Sequence, residues 1–479
     1  MDVILYLSAG LFLGWSLGAN DAANVFGTAV GTRMIKFRTA ALVCSFFVVL
    51  GATISGAGAA DTLGKLGAVN ALPGSFAVAM ASALTTYLMT RLKIPVSTSQ
   101  AIVGAIIGWN LYTSNLTDSS SLTKIVITWV ACPVLSGTMA ILLFVFVKWS
   151  IKMAKPHLLQ LDHGTRLGLL IVGAFGSYSL GANNIANVMG VFLPDNPFND
   201  FIMFDFLRIT AVQQLFFIGA LAIGVGVFTY SERVMNTVGS GLVRISPVPA
   251  FVIVLAQSLT LFVFASRGLE SFLSSQGLPT FPLVPVSSSQ AVVGAIVGLS
   301  LFKRIGIRYR VLSEISMGWL ATPLMACAIS FVALFVMDNV LDQKIQRVVA
   351  YRWEPVVAVE LESRGIADAG LDAMPNFKNA RQLQSYLKSK TQLESDEIFT
   401  VIELAATGLW QVPEVILESD GVHWGLNSEQ VAGLQKLQGQ SFDRSWLLRE
   451  ALQKTTSAWR EPAAEVESKI ILVTRVIRQ

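Results

Sequence analysis

Long apolar runs almost free of charge constrain this chain more than any other feature. The first 341 residues carry 19 Lys/Arg and 12 Asp/Glu, about 9% charged, against about 25% in ordinary soluble domains. Apolar stretches run at about 2–19, 22–32, 39–60, 74–90, 101–112, 125–149, 167–180, 206–230, 245–266, 291–302 and 312–337. In hydrocarbon, only helices and closed barrels pair all their backbone polar groups. A helical span needs about 20 apolar residues, and several of these runs suffice. An all-α polytopic membrane domain is therefore expected. Residues 342–479 differ, with 16 Lys/Arg and 19 Asp/Glu among 138 residues. That is soluble composition, and it predicts a C-terminal soluble domain of α/β or α+β type.

Composition excludes other classes. Cys number only three and apolar content is 53%, which rules out disulfide-scaffold, collagen-like and disordered readings. Cys44, Cys132 and Cys327 all lie in apolar segments, where free Cys acts as a small hydrophobe. The net charge of +4 comes from basic residues in short loops, so it does not point to nucleic acid. The start, Met1-Asp2, lacks a basic leader region, which favours a retained first span over a cleaved signal.

The apolar part is duplicated. Ser16-Leu17-Gly18-Ala19-Asn20-Asp21-Ala22-Ala23-Asn24-Val25 recurs as Ser179-Leu180-Gly181-Ala182-Asn183-Asn184-Ile185-Ala186-Asn187-Val188, at an offset of 163. The run from Pro95 to Gly108 (PVSTSQAIVGAIIG) recurs from Pro285 to Gly298 (PVSSSQAVVGAIVG), at an offset of 190. Trp129 to Pro133 recurs as Trp319 to Pro323 at the same offset, and Ala81 to Thr85 resembles Ala256 to Thr260 at 175. These matches divide the chain into a membrane repeat at 1–150, a linker at 151–163, a second repeat at 164–340 and the soluble tail at 341–479. Stretches 22–32, 101–112 and 291–302 are short for a span. Short, interrupted segments at matching places in two halves point to a transporter binding site.

Charge sets an expected orientation. Arg33, Lys36 and Arg38, and the group Lys148, Lys152, Lys155 and Arg166, both read as cytoplasmic. The first half then has an odd number of crossings and the second is inverted relative to it. The basic loop Lys303, Arg304, Arg308 and Arg310 fits the same side. The tail would share the outer side with the N-terminus, although Lys344, Arg347 and Arg352 pull the other way.

Two motifs carry chemistry. Asp21 is the only acidic residue deep in an apolar stretch. A charge there costs about 2.5–3.5 kcal/mol or more without a partner. On a helix Asn20, Asp21, Asn24 and Thr28 share a face, and Gly18 would permit a backbone break that frees a carbonyl. Oxygen donors of this kind suit Na⁺ or a proton. The second copy offers Asn183, Asn184 and Asn187. Interhelical hydrogen bonding is the bland alternative, strongest for Asn24 or Asn187 taken alone.

The second motif pairs Ser97, Thr98, Ser99 and Gln100 with Ser287, Ser288, Ser289 and Gln290. Ser97-x-x-Gln100 and Ser287-x-x-Gln290 fit capping boxes. Each would open a re-entrant hairpin arm or mark the break in a split helix. Two helix N-termini facing each other, each with three hydroxyls, would make an oxyanion site. A cation at Asp21 could balance the anion, making the two mutually dependent. Gln213, Gln214 and Gln257 read as interhelical bonds, Lys124 and Glu314 as structural, and Arg91 with Lys93 as an interfacial pair. His157, His163 and His423 read as solvated.

Together these motifs resemble the inorganic phosphate transporter (PiT) family over residues 1–340. Its signature is a Gly-Ala-Asn-Asp-x-x-Asn block in each half and a Pro-x-Ser-Thr/Ser-x block opening each hairpin. The resemblance implies an inverted structural repeat with two re-entrant helical hairpins, commonly a homodimer, and symport of phosphate with Na⁺ or H⁺. It places phosphate among the hairpin hydroxyls of Ser97, Thr98, Ser99, Ser287, Ser288 and Ser289, with Gln100 and Gln290 beside them. It places the cation near Asp21, Asn24, Asn184 and Asn187, with Asp21, Asn24 and Asn187 as the ligands if that cation is Na⁺. No other cofactor is implied.

One departure stands out, since the family's second block carries Asp where this chain has Asn184. The loss of a carboxylate keeps sulfate, or another oxyanion, as an alternative substrate. A transport-derived anion receptor signalling through the tail is a second alternative, and a passive channel a third. An enzyme is not expected, because no nucleophile–base pair can be assembled. The expected location is a bacterial or archaeal plasma membrane. In the tail, 379–390 and 393–409 read as amphipathic helices, and Trp410, Trp424, Trp446 and Trp459 suggest a packed core. Gly421 to Trp424 and Ile470 to Val476 could be short strands.

Overall fold

The computed structural model describes residues 2–67, 69–92, 96–198, 201–203, 207–241, 246–347, 349–364, 366, 375–377, 379–391, 393–408, 410–412, 416 and 426–460. Lys93, Pro95, the Gly421 to Trp424 segment with His423, and Ile470 to Val476 lie outside the described residues.

Among the described residues, eight helices are long and apolar enough to cross a membrane. The helices run α1 (Asp2–Gly31), α2 (Phe37–Ser55), α3 (Ala57–Leu66), α4 (Leu72–Arg91), α5 (Thr98–Thr113) and α6 (Ser119–Ala154). They continue as α7 (Leu158–Met189), α8 (Ala211–Gly241), α9 (Pro247–Ala265), α10 (Arg267–Ser275), α11 (Ser288–Lys303) and α12 (Tyr309–Asn339). α5 and α11 have 16 residues each, a reach of about 24 Å against a hydrocarbon core of about 30 Å.

Local signals set the ends. Asp118 caps α6 by accepting from the N–H groups of Ser120 and Ser121. His157 caps α7 by accepting from Leu159, and Gln160 returns the bond to the His157 N–H. The helical break between α6 and α7 is confined to Lys155–His157, within the stretch 151–163.

The apolar stretches at 2–19 and 22–32 form one unbroken helix, α1. The expected break at Gly18, with its free carbonyl, does not occur. Gly18 serves instead for close approach, since a Cβ there would sit 2.0 Å from the Ile223 carbonyl oxygen on α8. Its counterpart Gly181 on α7 would meet the Val48 carbonyl oxygen on α2 at 2.2 Å. The short helices repeat the pattern. A Cβ on Gly104 of α5 would lie 2.1 Å from the Pro323 carbonyl oxygen on α12, and one on Gly294 of α11 would lie 2.2 Å from that of Pro133 on α6. Helices that associate in lipid use small residues in this way to bring backbones together. Each contact joins one half of the chain to the other, so the halves interlock.

Two compact units result. The first comprises Met1–Tyr112, Thr117–Leu193 and Val212–Ile345. The second comprises Thr113–Leu116, Pro194–Ala211 and Gln346–Gln479. It contains the hairpin β1 (Phe201–Met203) and β2 (Leu207–Ile209), the pairs β3 (Ala350–Tyr351) with β4 (Ala406–Thr407) and β5 (Trp410–Gln411) with β6 (Ser441–Phe442), and helices α13 (Pro355–Ser363), α14 (Ala380–Lys390), α15 (Ser395–Ala405), α16 (Ser428–Gln435) and α17 (Ser445–Thr455). It has two apolar clusters, one around Val357, Leu383, Leu387 and Val401, the other around Trp410, Leu434, Leu448 and Trp459. Trp446 packs on the first cluster.

Candidate functional site

The two polar motifs of each half converge inside the first unit. α1 presents Asn20, Asp21, Asn24 and Thr28, all buried, and α7 presents Asn183, Asn184 and Asn187, also buried. The starts of α5 and α11 bring Ser97 to Gln100 and Ser287 to Gln290, every one at 3% exposure or less.

Within each half, the first Asn of the block holds the backbone just ahead of the short helix. Asn20 Nδ2 donates to the Val96 carbonyl at 3.2 Å. Asn183 grips Val286 twice, donating from Nδ2 to its carbonyl at 2.7 Å and accepting its N–H at 3.1 Å. The last Asn of each block crosses to the other half. Asn24 Nδ2 donates to Ser288 Oγ at 3.0 Å, and Asn187 Nδ2 donates to Ser99 Oγ at 2.9 Å. The starts of the two short helices also touch, through Ser99 Oγ donating to the Val286 carbonyl at 3.1 Å.

The middle residues differ. Asp21 accepts from Asn20 Nδ2 at 2.8 Å and from Ser288 Oγ at 2.7 Å. Asn184 Oδ1 accepts from Asn187 at 2.9 Å and Asn183 at 3.3 Å.

The capping boxes form by half. Ser97 Oγ accepts from the Gln100 N–H and Ser287 Oγ from the Gln290 N–H, both at 3.2 Å. The reciprocal Gln contact is missing, and Gln100 Oε1 and Gln290 Oε1 are buried without a partner. Ser287 and Ser289 pair through their hydroxyls at 3.0 Å. Thr98 Oγ1, Asn184 Nδ2 and Asn187 Oδ1 are likewise buried and unpartnered. A buried polar atom without a partner costs about 1–3 kcal/mol. These atoms are able to hydrogen-bond to a polar ligand or to water. The first turns of α5 and α11 add backbone N–H groups that no intrahelical acceptor can satisfy, and these suit an anion.

Gln257 forms the interhelical bond that the sequence suggested. Its Nε2 donates to the Asn24 carbonyl at 2.8 Å, and its Oε1 is buried and unpartnered. Sequence reasoning did not foresee that Asn20 and Asn183 hold the backbone at Val96 and Val286. The remaining polar residues do other work. Glu314 pairs with Arg310 at 3.1 Å, Lys124 is exposed, and Arg91 lies over the Tyr87 ring. Cys44 and Cys132 are buried free thiols.

The model of the phosphate transporter family matches residues 17–271 and 276–466. The chain belongs to that family. It is a family of permeases rather than enzymes, and with its eight apolar helices the chain is an integral membrane protein. The match runs through much of the tail, beyond the 1–340 over which the sequence resemblance was drawn. Among relatives, a proposed phosphate permease of Methanocaldococcus jannaschii is 29% identical over 335 residues, covering 69% of this chain and 97% of its own. One of Haemophilus influenzae is 24% identical over 421 residues, covering 70% of this chain and 96% of its own. Among solved structures, a sodium-dependent phosphate transporter aligns with a TM-score of 0.55 at 22% identity, covering 71% of this chain and 99% of its own. That likeness establishes the fold.

Proposed function

We propose that this protein is a secondary active transporter importing inorganic phosphate by symport with a cation, through alternating access around the converged motifs. The observation that carries the reading is the crossed bonding, in which the Asn/Asp block of each half reaches the hairpin helix of the other. The phosphate-transporter family and the sodium-dependent relative favour phosphate and Na⁺. In this reading the halves are inverted repeats, α5 and α11 are re-entrant arms, the tail is a soluble domain, and the assembly is a homodimer. The paired exchange of close approaches between halves supports the first of these.

Phosphate would lie at the starts of α5 and α11, taking hydrogen bonds from their free N–H groups and from Ser97, Thr98, Ser99, Ser287, Ser288 and Ser289. Gln100 and Gln290 would complete its surroundings. The cation would lie at Asp21 and Asn24, with Asn184 and Asn187 as the matched set in the second half. Ser288 joins the two ligands, because its hydroxyl donates to Asp21. A cation taking the Asp21 carboxylate would free that donor for phosphate, and the preference must then run both ways.

Uptake of radiolabelled phosphate into proteoliposomes of the purified protein tests the reading. Accumulation that excess unlabelled sulfate leaves intact supports it. Accumulation abolished by sulfate would replace phosphate as the substrate.

A further inference from the structure

Two long helices mark a level in the bilayer. α6 has no charged residue from Ile125 to Val147, and α12 has none from Ile315 to Met337. Either run rises about 34 Å, close to a hydrocarbon core of about 30 Å. Lys148, the next residue on α6, therefore stands where hydrocarbon gives way to headgroups. Phe144 and Val147 of α6, Leu299 of α11 and Val311 and Leu312 of α12 belong to one apolar cluster. The end of α6, the end of α11 and the start of α12 thus meet at that level.

The meeting point is basic. Lys303 Nζ lies 5.0 Å from the centre of the Phe144 ring, and the Phe302 ring meets that ring edge-on at 6.4 Å. Lys148 and Lys152 follow Phe144 by four and eight positions, so they share its face of α6. Arg304 comes next after Lys303. No Asp or Glu occurs from 119 to 161 or from 288 to 313, and Glu314 is held by Arg310 at 3.1 Å. Among the described residues, none of Lys148, Lys152, Lys303 and Arg304 is ion-paired. Arg308 gives α12 no side-chain cap, which leaves the donors of its first turn to an outside acceptor.

On the hydrocarbon side of Lys148, Leu142, Val145 and Phe146 are exposed, and Trp149 is exposed beside it. Tryptophan favours this interfacial level. A free anion would use only the cations, whereas a lipid uses the cations and the apolar surface below them. A second copy would bring like charge against like.

We infer that Lys148, Lys152, Lys303 and Arg304 form a binding site for the phosphate headgroup of an anionic phospholipid, whose acyl chains lie along α6. Charge-assisted hydrogen bonds from ammonium and guanidinium groups suit that headgroup. The inference depends on the membrane location of the chain and not on what it transports.

Native mass spectrometry of the purified full-length protein in detergent, titrated with phosphatidylglycerol or with phosphatidylcholine of the same acyl chains, tests it. Phosphatidylglycerol is expected to bind about tenfold more tightly. Each basic side chain removed costs about fivefold, so the double variant Lys148→Gln with Lys303→Gln abolishes the preference. Lys124→Gln, at the other end of α6, keeps it. Size-exclusion chromatography checks folding, and Lys152→Gln with Arg304→Gln stands in if the first pair does not fold. Equal binding of the two lipids, a preference undiminished in the folded double variant, or an equal loss in Lys124→Gln would each overturn the assignment. Displacement of phosphatidylglycerol by millimolar inorganic phosphate would overturn it too, and make the patch a site for the free anion.

Discussion

The hydroxyl of Ser288 donates to the carboxylate of Asp21 at 2.7 Å, across 267 positions of sequence. It ties the one acidic side chain in the middle of α1 to the first residue of α11. A hydrogen bond to a charged group contributes about 1.5–3 kcal/mol, or roughly 10–100-fold in an equilibrium. We predict that Ser288→Ala raises the half-saturating concentration of phosphate by about tenfold or more and does not weaken cation binding measured without phosphate, whereas Ser288→Thr changes phosphate affinity far less. Unchanged phosphate affinity in Ser288→Ala would separate Ser288 from coupling.

Asn183 holds both backbone groups of Val286, whereas the contact from Asn20 to the matching segment before α5 is a single longer bond to Val96. Asn183→Ala would leave the buried Val286 N–H unpaired, at about 1–3 kcal/mol, and the Val286 carbonyl with Ser99 as its one remaining donor. Thermal unfolding in detergent is predicted to show a larger loss for Asn183→Ala than for Asn20→Ala. Equal losses would mean that the second grip on Val286 adds nothing.

How far the sequence revealed this arrangement depends on the kind of information involved. The membrane class and the duplicated blocks were legible because apolar runs and repeated words are local. The role of Gly18 was not. A helix-breaking residue and a helix-packing residue are the same glycine, and only the Ile223 carbonyl opposite it separates the two. Gln100 and Gln290 had capping-box spacing, but spacing cannot tell whether a buried amide turns back to its cap or stays free. Gln257 lacked charge and sat in a weakly matched block, so its contact with Asn24 appeared only once α9 lay against α1.

Three glycines test the interlocked halves. A methyl on Gly18, Gly104 or Gly294 would lie 2.0–2.2 Å from a backbone oxygen of another helix. Forcing such contacts costs about 1–3 kcal/mol. Gly18→Ala, Gly104→Ala and Gly294→Ala should each lower the unfolding temperature and the uptake rate. Gly164→Ala is the control, because nothing lies within 4 Å of its added carbon. A matched drop in the control would show that lost glycine flexibility, not crowding, is responsible.

In the tail, Arg444 is fully buried and bonds Glu354 at 2.7 Å, Asp443 at 2.8 Å and the Arg352 carbonyl at 3.2 Å. The Arg444 guanidinium holds the Glu354 carboxyl below its ordinary value of 4.5. A lowered folded pKa stabilises above the unfolded value and is lost as pH falls through the folded one. Hydrogen-exchange protection at 350–354 and 443–448 in the full-length protein should therefore persist at pH 4.5 and fall only under more acid conditions. Arg444→Met should weaken that protection at neutral pH, by about 3 kcal/mol or less, because both carboxylates are half exposed. Protection already lost at pH 6 would exclude the ion pair as its source.

Cation-driven accumulation is the central claim. The most direct measurement is radiolabelled phosphate uptake into proteoliposomes, with Na⁺ and H⁺ gradients imposed separately on the native protein and on Asp21→Asn. Symport through Asp21 predicts accumulation above equilibrium driven by the Na⁺ gradient alone, and its loss in Asp21→Asn. Accumulation that ignores both gradients, or that survives Asp21→Asn unchanged, would contradict it.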